Sequence, residues 1–242
     1  MKFLIIAFSF FLLGLHVDAS VKYIEYADLL SKYVRSDGVD YASWSQVPSD
    51  IKRLDSVLAD WSQVDVESLT QADQKAFYIN LYNAAMLQAV FDNYPLKSVK
   101  NIGLLPFSIF KKKFIKQGTQ KLSLDGVEKG ILLKEFVDPR IHFAVNCASE
   151  SCPPLRAEPF LGEVLDSQLD EQTRDFAESN RAIRINQSAK SIAYSELFKW
   201  YKGDFEVENP AEYLNNYRSK KVKLSYKVKW IEYDWSLNSS SN

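Results

Sequence analysis

Ala76-Phe77-Tyr78-Ile79-Asn80-Leu81-Tyr82-Asn83-Ala84-Ala85-Met86-Leu87 is the stretch on which the fold turns. It is apolar nearly all round and contains neither proline nor glycine. A helix on a protein surface carries one apolar stripe, whereas one apolar on every side lies buried. Thr70 with Asp73 resembles a capping box at its start, and Pro95 limits its far end, so the spacing predicts a central helix over residues 71–93. Ala76, Asn80, Asn83, Leu87, Val90 and Tyr94 share one seam of it. Two asparagines thus interrupt an apolar stripe. A buried amide without partners costs ~1–3 kcal/mol, so the fold must answer both. They either hold loop backbone or serve a reaction, orienting a base or donating to an oxyanion.

Working outward, Tyr26, Leu29, Leu30, Tyr33 and Val34 follow helical spacing, as do Ile51, Leu54, Val57, Leu58 and Trp61 behind a Ser49 cap. Residues 37–41 between them read as a turn into a short extended piece. Residues 114–124 form a hairpin around Gln117-Gly118, and Asp125 with Glu128 suggests a second capping box for a helix over 126–136. Residues 140–146 are expected as a strand, 160–180 as an amphipathic helix, and 181–194 as another hairpin. Short helices are expected at 195–202 and 210–218. Val222, Leu224, Tyr226, Val228 and Trp230 alternate with polar residues, the period of a half-buried strand. The expected fold is a single α+β domain over residues 20–242, a largely antiparallel sheet with helices packed on it and one central buried helix.

Residues 1–19 have the pattern of a cleavable signal peptide. Lys2 precedes an apolar run from Phe3 to Leu15, and Val17-Asp18-Ala19 ends on small residues suited to cleavage. The run is shorter than the ~18–20 residues that span a bilayer. The expectation is export, periplasmic or secreted, with no membrane span left after cleavage. A net charge of −1 argues against nucleic acid as a partner, and leaves a small molecule, a peptide or a protein. Lys111-Lys112-Lys113 with Lys116 is a small basic cluster that reads as a solvated face.

His16 falls within the signal peptide, so His142 is the only histidine of the mature part. Both cysteines follow it closely, in His142-Phe143-Ala144-Val145-Asn146-Cys147-Ala148-Ser149-Glu150-Ser151-Cys152-Pro153-Pro154-Leu155. One use of this cluster is a Cys147 nucleophile with His142 as its base and Asn80 or Asn83 orienting. Geometry opposes it if residues 141–147 are one strand: five steps of ~3.3 Å put Cys147 about 16 Å from His142, on the opposite face. A second use is a Cys147–Cys152 disulfide, favoured by an even cysteine count in an exported chain. The domain would then be a binding or interaction module, and the aromatics around Trp200 and Tyr201 would form its surface. A metal site drawn from His142, Cys147, Cys152 and Glu128 or Glu150 lacks the usual paired spacings. A Ser149–His142 hydrolase lacks the nucleophile-elbow motif. The expectation is therefore no cofactor and no metal, with Cys147, His142, Asn80 and Asn83 as the candidate site.

Several separated blocks resemble the domain-of-unknown-function family numbered five-four-seven. They are Asn80-Leu81-Tyr82-Asn83-Ala84, Leu124-Asp125 with Val127-Glu128-Lys129-Gly130, residues 142–149 with Cys152-Pro153-Pro154-Leu155, Trp200-Tyr201-Lys202-Gly203-Asp204-Phe205, and Tyr233-Asp234-Trp235-Ser236-Leu237-Asn238. The resemblance runs over roughly residues 70–238 and implies an α+β domain with no established reaction. Its cysteine and histidine pattern is similar, by analogy alone, to that of papain- and transglutaminase-like hydrolases.

Export predicts that the N-terminus of the mature protein, read by Edman degradation, begins at Ser20. An intact Met1 in the exported fraction would contradict it.

Overall fold

The computed structural model describes residues 21–240. The signal-peptide expectation for residues 1–19 lies outside them. Every element and both hydrophobic cores fall within the described residues. The first helices, α1 (Ile24–Tyr33), α2 (Tyr41–Ser45) and α3 (Pro48–Trp61), wrap α4 (Gln71–Phe91). Asp40, expected at a turn into an extended piece, instead caps α2 by accepting the Ser43 amide at 3.0 Å. Pro48 opens α3 at the position where a missing N–H costs nothing, so Val47 and not Ser49 is its cap residue.

Helix α4 is the buried axis that its sequence implies. Residues 79–87 are buried without a break, and Ala76 and Val90 extend the buried seam on either side. Thr70 Oγ1 accepts the Asp73 amide at 3.2 Å and donates to the Asp73 carboxylate at 2.6 Å. Beyond α4 come α5 (Ser108–Lys111) and the antiparallel pair β1 (Ile115–Gln117) and β2 (Gln120–Leu122). Next are α6 (Leu124–Val127), a π-helical turn over Glu128–Leu132, and α7 (Leu133–Phe136). Ser123 caps α6 through the Gly126 amide, so the expected Asp125 cap is displaced two residues upstream.

The segment after α7 departs furthest from expectation. Residues 140–146 are not a strand. They form α8 (Ile141–Ala144), closed by the Val145 amide on the Ile141 carbonyl at 3.1 Å. A short apolar run reads equally as strand or buried helix, and here the packing decides. Ile141, Ala144 and Val145 join the large core around α4, while Phe143 enters a second core. A four-residue helix can serve cores on two sides at once.

That second core is built by α9 (Leu165–Glu178), a sheet, and three short helices. The strands are β3 (Ile183–Asn186), β4 (Ser191–Ser195) and β5 (Lys227–Ile231). Helices α10 (Leu197–Trp200), α11 (Lys202–Phe205) and α12 (Pro210–Leu214) lie between β4 and β5. β3 and β4 make the expected hairpin, but β5 pairs with β4 in parallel. A parallel partner needs a crossover of a dozen residues or more, which residues 196–226 provide. The fold is therefore α+β with helices dominant; the antiparallel expectation holds for the β1–β2 and β3–β4 pairs, and the parallel β5 makes the larger sheet mixed. The strand expected from Val222 begins only at Lys227, and its alternation does not hold: Leu224 and Trp230 are exposed, Val228 is half-buried, and Ile231 is buried.

Both asparagines of α4 are answered by backbone. Asn80 takes the Phe160 amide on Oδ1 at 2.9 Å and donates to the Phe160 carbonyl at 2.7 Å. Asn83 donates to the Ala144 carbonyl at 3.0 Å and accepts the Asn146 amide at 2.8 Å. Asn83→Leu strands two buried backbone groups and is expected to cost about 2–4 kcal/mol in urea denaturation. Lys129→Ala breaks only an exposed pair with Asp125 and should cost under ~0.5 kcal/mol. Equal losses would contradict the clamp.

Candidate functional site

With Asn83 holding both sides of Val145, the chain turns at the end of α8 and brings Cys147 toward the cavity that His142 also lines. The strand arithmetic that kept these residues apart does not apply, because residues 141–144 are helical. Beyond Cys147, Ala148 adopts left-handed backbone with φ 56°. That conformation is disfavoured for a residue with a Cβ, and the surroundings hold it. The Ala148 amide donates to Asn146 Oδ1 at 2.9 Å, and its carbonyl accepts the Asn238 amide at 3.2 Å. Asn146 Nδ2 donates to the Pro153 carbonyl at 2.8 Å, closing the loop that contains both cysteines.

The cavity holds about 460 Å³. Cys147, Cys152, Val145, His142, Glu128 and Tyr82 are among the residues that line it. Trp200, Tyr201, Tyr233 and Trp235 form an aromatic wall, with Phe107 and Lys111 among the remaining lining residues. The wall is itself packed: the Tyr233 and Trp235 ring centres are 4.5 Å apart, and those of Trp200 and Tyr233 are 4.8 Å apart. This size and mixture of apolar surface with few polar groups suit a small ligand or a side chain of a larger one.

Both cysteines are free thiols. The Cys147 amide donates to Cys152 Sγ at 2.9 Å. Cys147 Sγ lies 3.0 Å from Ser149 Oγ and 3.4 Å from Tyr233 Oη, and the two hydroxyls are 3.2 Å apart. Burial raises the Cys147 pKa, but donation from Cys152, Ser149 and Tyr233 outweighs it and brings the thiol down to about 7. Burial pushes the Cys152 thiol well up, and its neighbour's negative charge adds to the effect. The two thiols are thus pushed in opposite directions, Cys147 down and Cys152 up.

His142 is buried, its ring 4.0 Å from that of Tyr201 and 5.3 Å from that of Phe205. Its Nε2 is 2.8 Å from the Asp204 carboxylate. Burial lowers its pKa while Asp204 acts against that, so a neutral imidazole is held in a defined orientation. Nδ1 has no hydrogen-bond partner among the described residues. Glu128, at the start of the π-helical turn, is also buried. Burial raises its pKa, and hydroxyl donation from Tyr201, at 2.7 Å, and from Tyr82 partly offsets this.

Of the four residues singled out in the sequence, Cys147 and His142 line the cavity, and Asn83 shapes the segment that carries them. Asn80 does not join them; it secures Phe160. Asp204, Tyr233, Asn146 and Asn238 were given no role from sequence, although each lies in one of the blocks that carry the family resemblance. Ser149, weighed as a nucleophile, is buried and bonded to the thiol and to Tyr233. No group of three or more potential metal ligands gathers among the described residues, and none of their helices is long and apolar enough to cross a membrane.

Residues 66–177 match the model of a family described as Protein of unknown function, DUF547, the family that the sequence blocks resemble. The match contains Asn83, Glu128, His142 and both cysteines; Asp204 and Tyr233 lie beyond it. No curated protein and no solved structure gives a significant match.

Iodoacetamide alkylation of Cys147 should follow an ionisation near pH 7. Cys152→Ala removes a donor to the thiolate, so the midpoint should rise and the rate at pH 7 fall. A midpoint at the ordinary cysteine value of ~8.5 would contradict this account of the site.

Proposed function

We propose that this protein is an exported, thiol-dependent hydrolase or acyl transferase in which Cys147 is the nucleophile, His142 the base and Asp204 the group that orients it. The observation that carries the reading is that Cys147 and His142 line one cavity while Nε2 of His142 is engaged by Asp204. Nucleophile, base and orienting carboxylate are the parts of a catalytic triad, recognised by roles and not by chain order.

The chemistry follows from these groups. His142 takes the thiol proton, and Cys147 Sγ forms a bond to the carbonyl carbon of the substrate as the carbonyl electron pair moves onto oxygen. Collapse expels the leaving group, which takes the proton from His142, and leaves a thioester. Water or another nucleophile then gives a proton to His142 and attacks the thioester, and Cys147 departs as thiolate. Ser149 and Tyr233, whose hydroxyls lie against Cys147 Sγ, can turn to the carbonyl oxygen once the S–C bond forms.

A second reading keeps the domain as a binding module with a Cys147–Cys152 disulfide. The contact of the Cys147 amide with Cys152 Sγ favours it, because the sulfur of one residue already lies against the backbone of the other. Closing the bond would remove the nucleophile and leave the aromatic wall as the binding surface.

The test is hydrolysis of para-nitrophenyl acetate by the reduced protein. Cys147→Ser should fall to background, and His142→Ala should slow hydrolysis by about 10²–10⁴. Asp204→Asn should slow it less, because that carboxylate orients without touching substrate. Undiminished turnover in Cys147→Ser, or none in the reduced wild type, would overturn the reading.

A further inference from the structure

Between α4 and β1 the chain forms a protrusion that the thiol chemistry does not use. Residues 103–107, Gly103-Leu104-Leu105-Pro106-Phe107, are all exposed. Leu104 is 102% and Leu105 71% exposed, so two large aliphatic side chains stand in solvent at adjacent positions. Single exposed leucines need no explanation, but a contiguous apolar tip does.

The tip is held in place. Ser108 Oγ donates to the Ile102 carbonyl at 3.1 Å, and the Ser108 amide donates to the Leu105 carbonyl at 3.1 Å. Gly103 takes φ 97°, and a Cβ there would collide with Ser108 Oγ. Phe107 sits at φ 64°, a strained setting for an aromatic residue, with its ring against Trp235 at 4.7 Å. A loop that spends conformational energy to keep leucines in water points to a function for them.

Charge indicates what they meet. Lys111, Lys112 and Lys113 follow the tip after Ser108-Ile109-Phe110, and Lys116 comes soon after; all four are exposed, and none makes an ion pair among the described residues. An apolar wedge backed by unpaired cations is complementary to an anionic bilayer surface, where leucines reach the acyl boundary and lysines meet lipid phosphates. We propose that residues 103–116 dock this protein peripherally on anionic lipid membranes, with Leu104 and Leu105 inserted. Phe107, Phe110 and Lys111 also line the thiol cavity, so docking would hold that cavity beside the lipid surface. The inference does not need Cys147 to be reactive.

The test is sedimentation with vesicles, using the chain from Ser20 so that the apolar residues 3–15 cannot partition by themselves. Vesicles of phosphatidylcholine with phosphatidylglycerol should carry the protein down, and phosphatidylcholine alone should carry little. Leu104→Asp with Leu105→Asp should lower the partition coefficient at least about tenfold. Lys112→Ala should lower it about fivefold, and added salt should weaken binding. Cys147→Ser should bind as wild type does, so failure of the acyl-transfer reading leaves this result intact. The two aspartate substitutions lie on exposed positions outside both cores. No binding to anionic vesicles, equal binding to neutral ones, or no effect of the aspartates would overturn the proposal. So would self-association that the aspartates abolish in a protein that ignores vesicles, which would assign the tip to a second copy of the chain.

Discussion

The amide of Asn83 is the constraint on which the site depends. Reaching from the buried helix α4, it binds the Ala144 carbonyl with one end and the Asn146 amide with the other. These are the backbone groups left open where a short helix stops, and a buried open group is costly. An apolar side chain at this position would leave both unanswered. Because the clamp sits on the central buried helix, the end of α8 is tied to the core. Asn146 carries the constraint onward to Ala148, Pro153 and, at 3.3 Å, Asn238, whose own Oδ1 accepts from Tyr41 at 2.9 Å. A line of amides thus joins α4, the cysteine loop, the C-terminal segment and α2, and it fixes the left-handed turn at Ala148 between the two thiol-bearing positions.

That geometry separates two chemically identical groups. Cys147 and Cys152 share one loop and one cavity, yet their thiols are driven in opposite directions. Cys147 is surrounded by donors, with Ser149, Tyr233 and the Cys152 thiol all lowering its pKa. Cys152 is buried and faces the charge of its neighbour. Pairs of titrating groups pushed apart by their settings are a recurrent feature of reaction centres. The same division appears in the second half of the site, where His142 is neutral by burial and Glu128 is raised by it.

Much of this was legible in the residues. The uniform apolarity of residues 76–87 identified the buried helix, and asparagines on its seam required partners, which Asn80 and Asn83 both have. The confinement of His142, Cys147 and Cys152 to residues 142–152 located the cavity. What was not legible came from packing on two sides. Residues 141–145 serve two cores, so their apolar run carried neither period, and strand and helix could not be told apart. The distance argument against a Cys147–His142 pair failed with that strand. Asp204 and Tyr233 come from distant parts of the chain, and no local pattern says that an acid after Gly203 will meet His142. The parallel pairing of β5 with β4 was hidden for a related reason: alternation reports a half-buried strand, and not the direction of its neighbour.

The central claim is that Cys147 is a reduced, activated nucleophile, and the mass of the intact protein tests it directly. The native, non-reduced protein is quenched in acid within seconds of mixing with para-nitrophenyl acetate and then weighed, with peptide mapping of the modified residue. The account predicts one added acetyl group, located on Cys147 and lost on longer incubation as the thioester hydrolyses. A protein that gains no acetyl group and weighs two hydrogens less than the reduced chain, with Cys147 joined to Cys152, would contradict it.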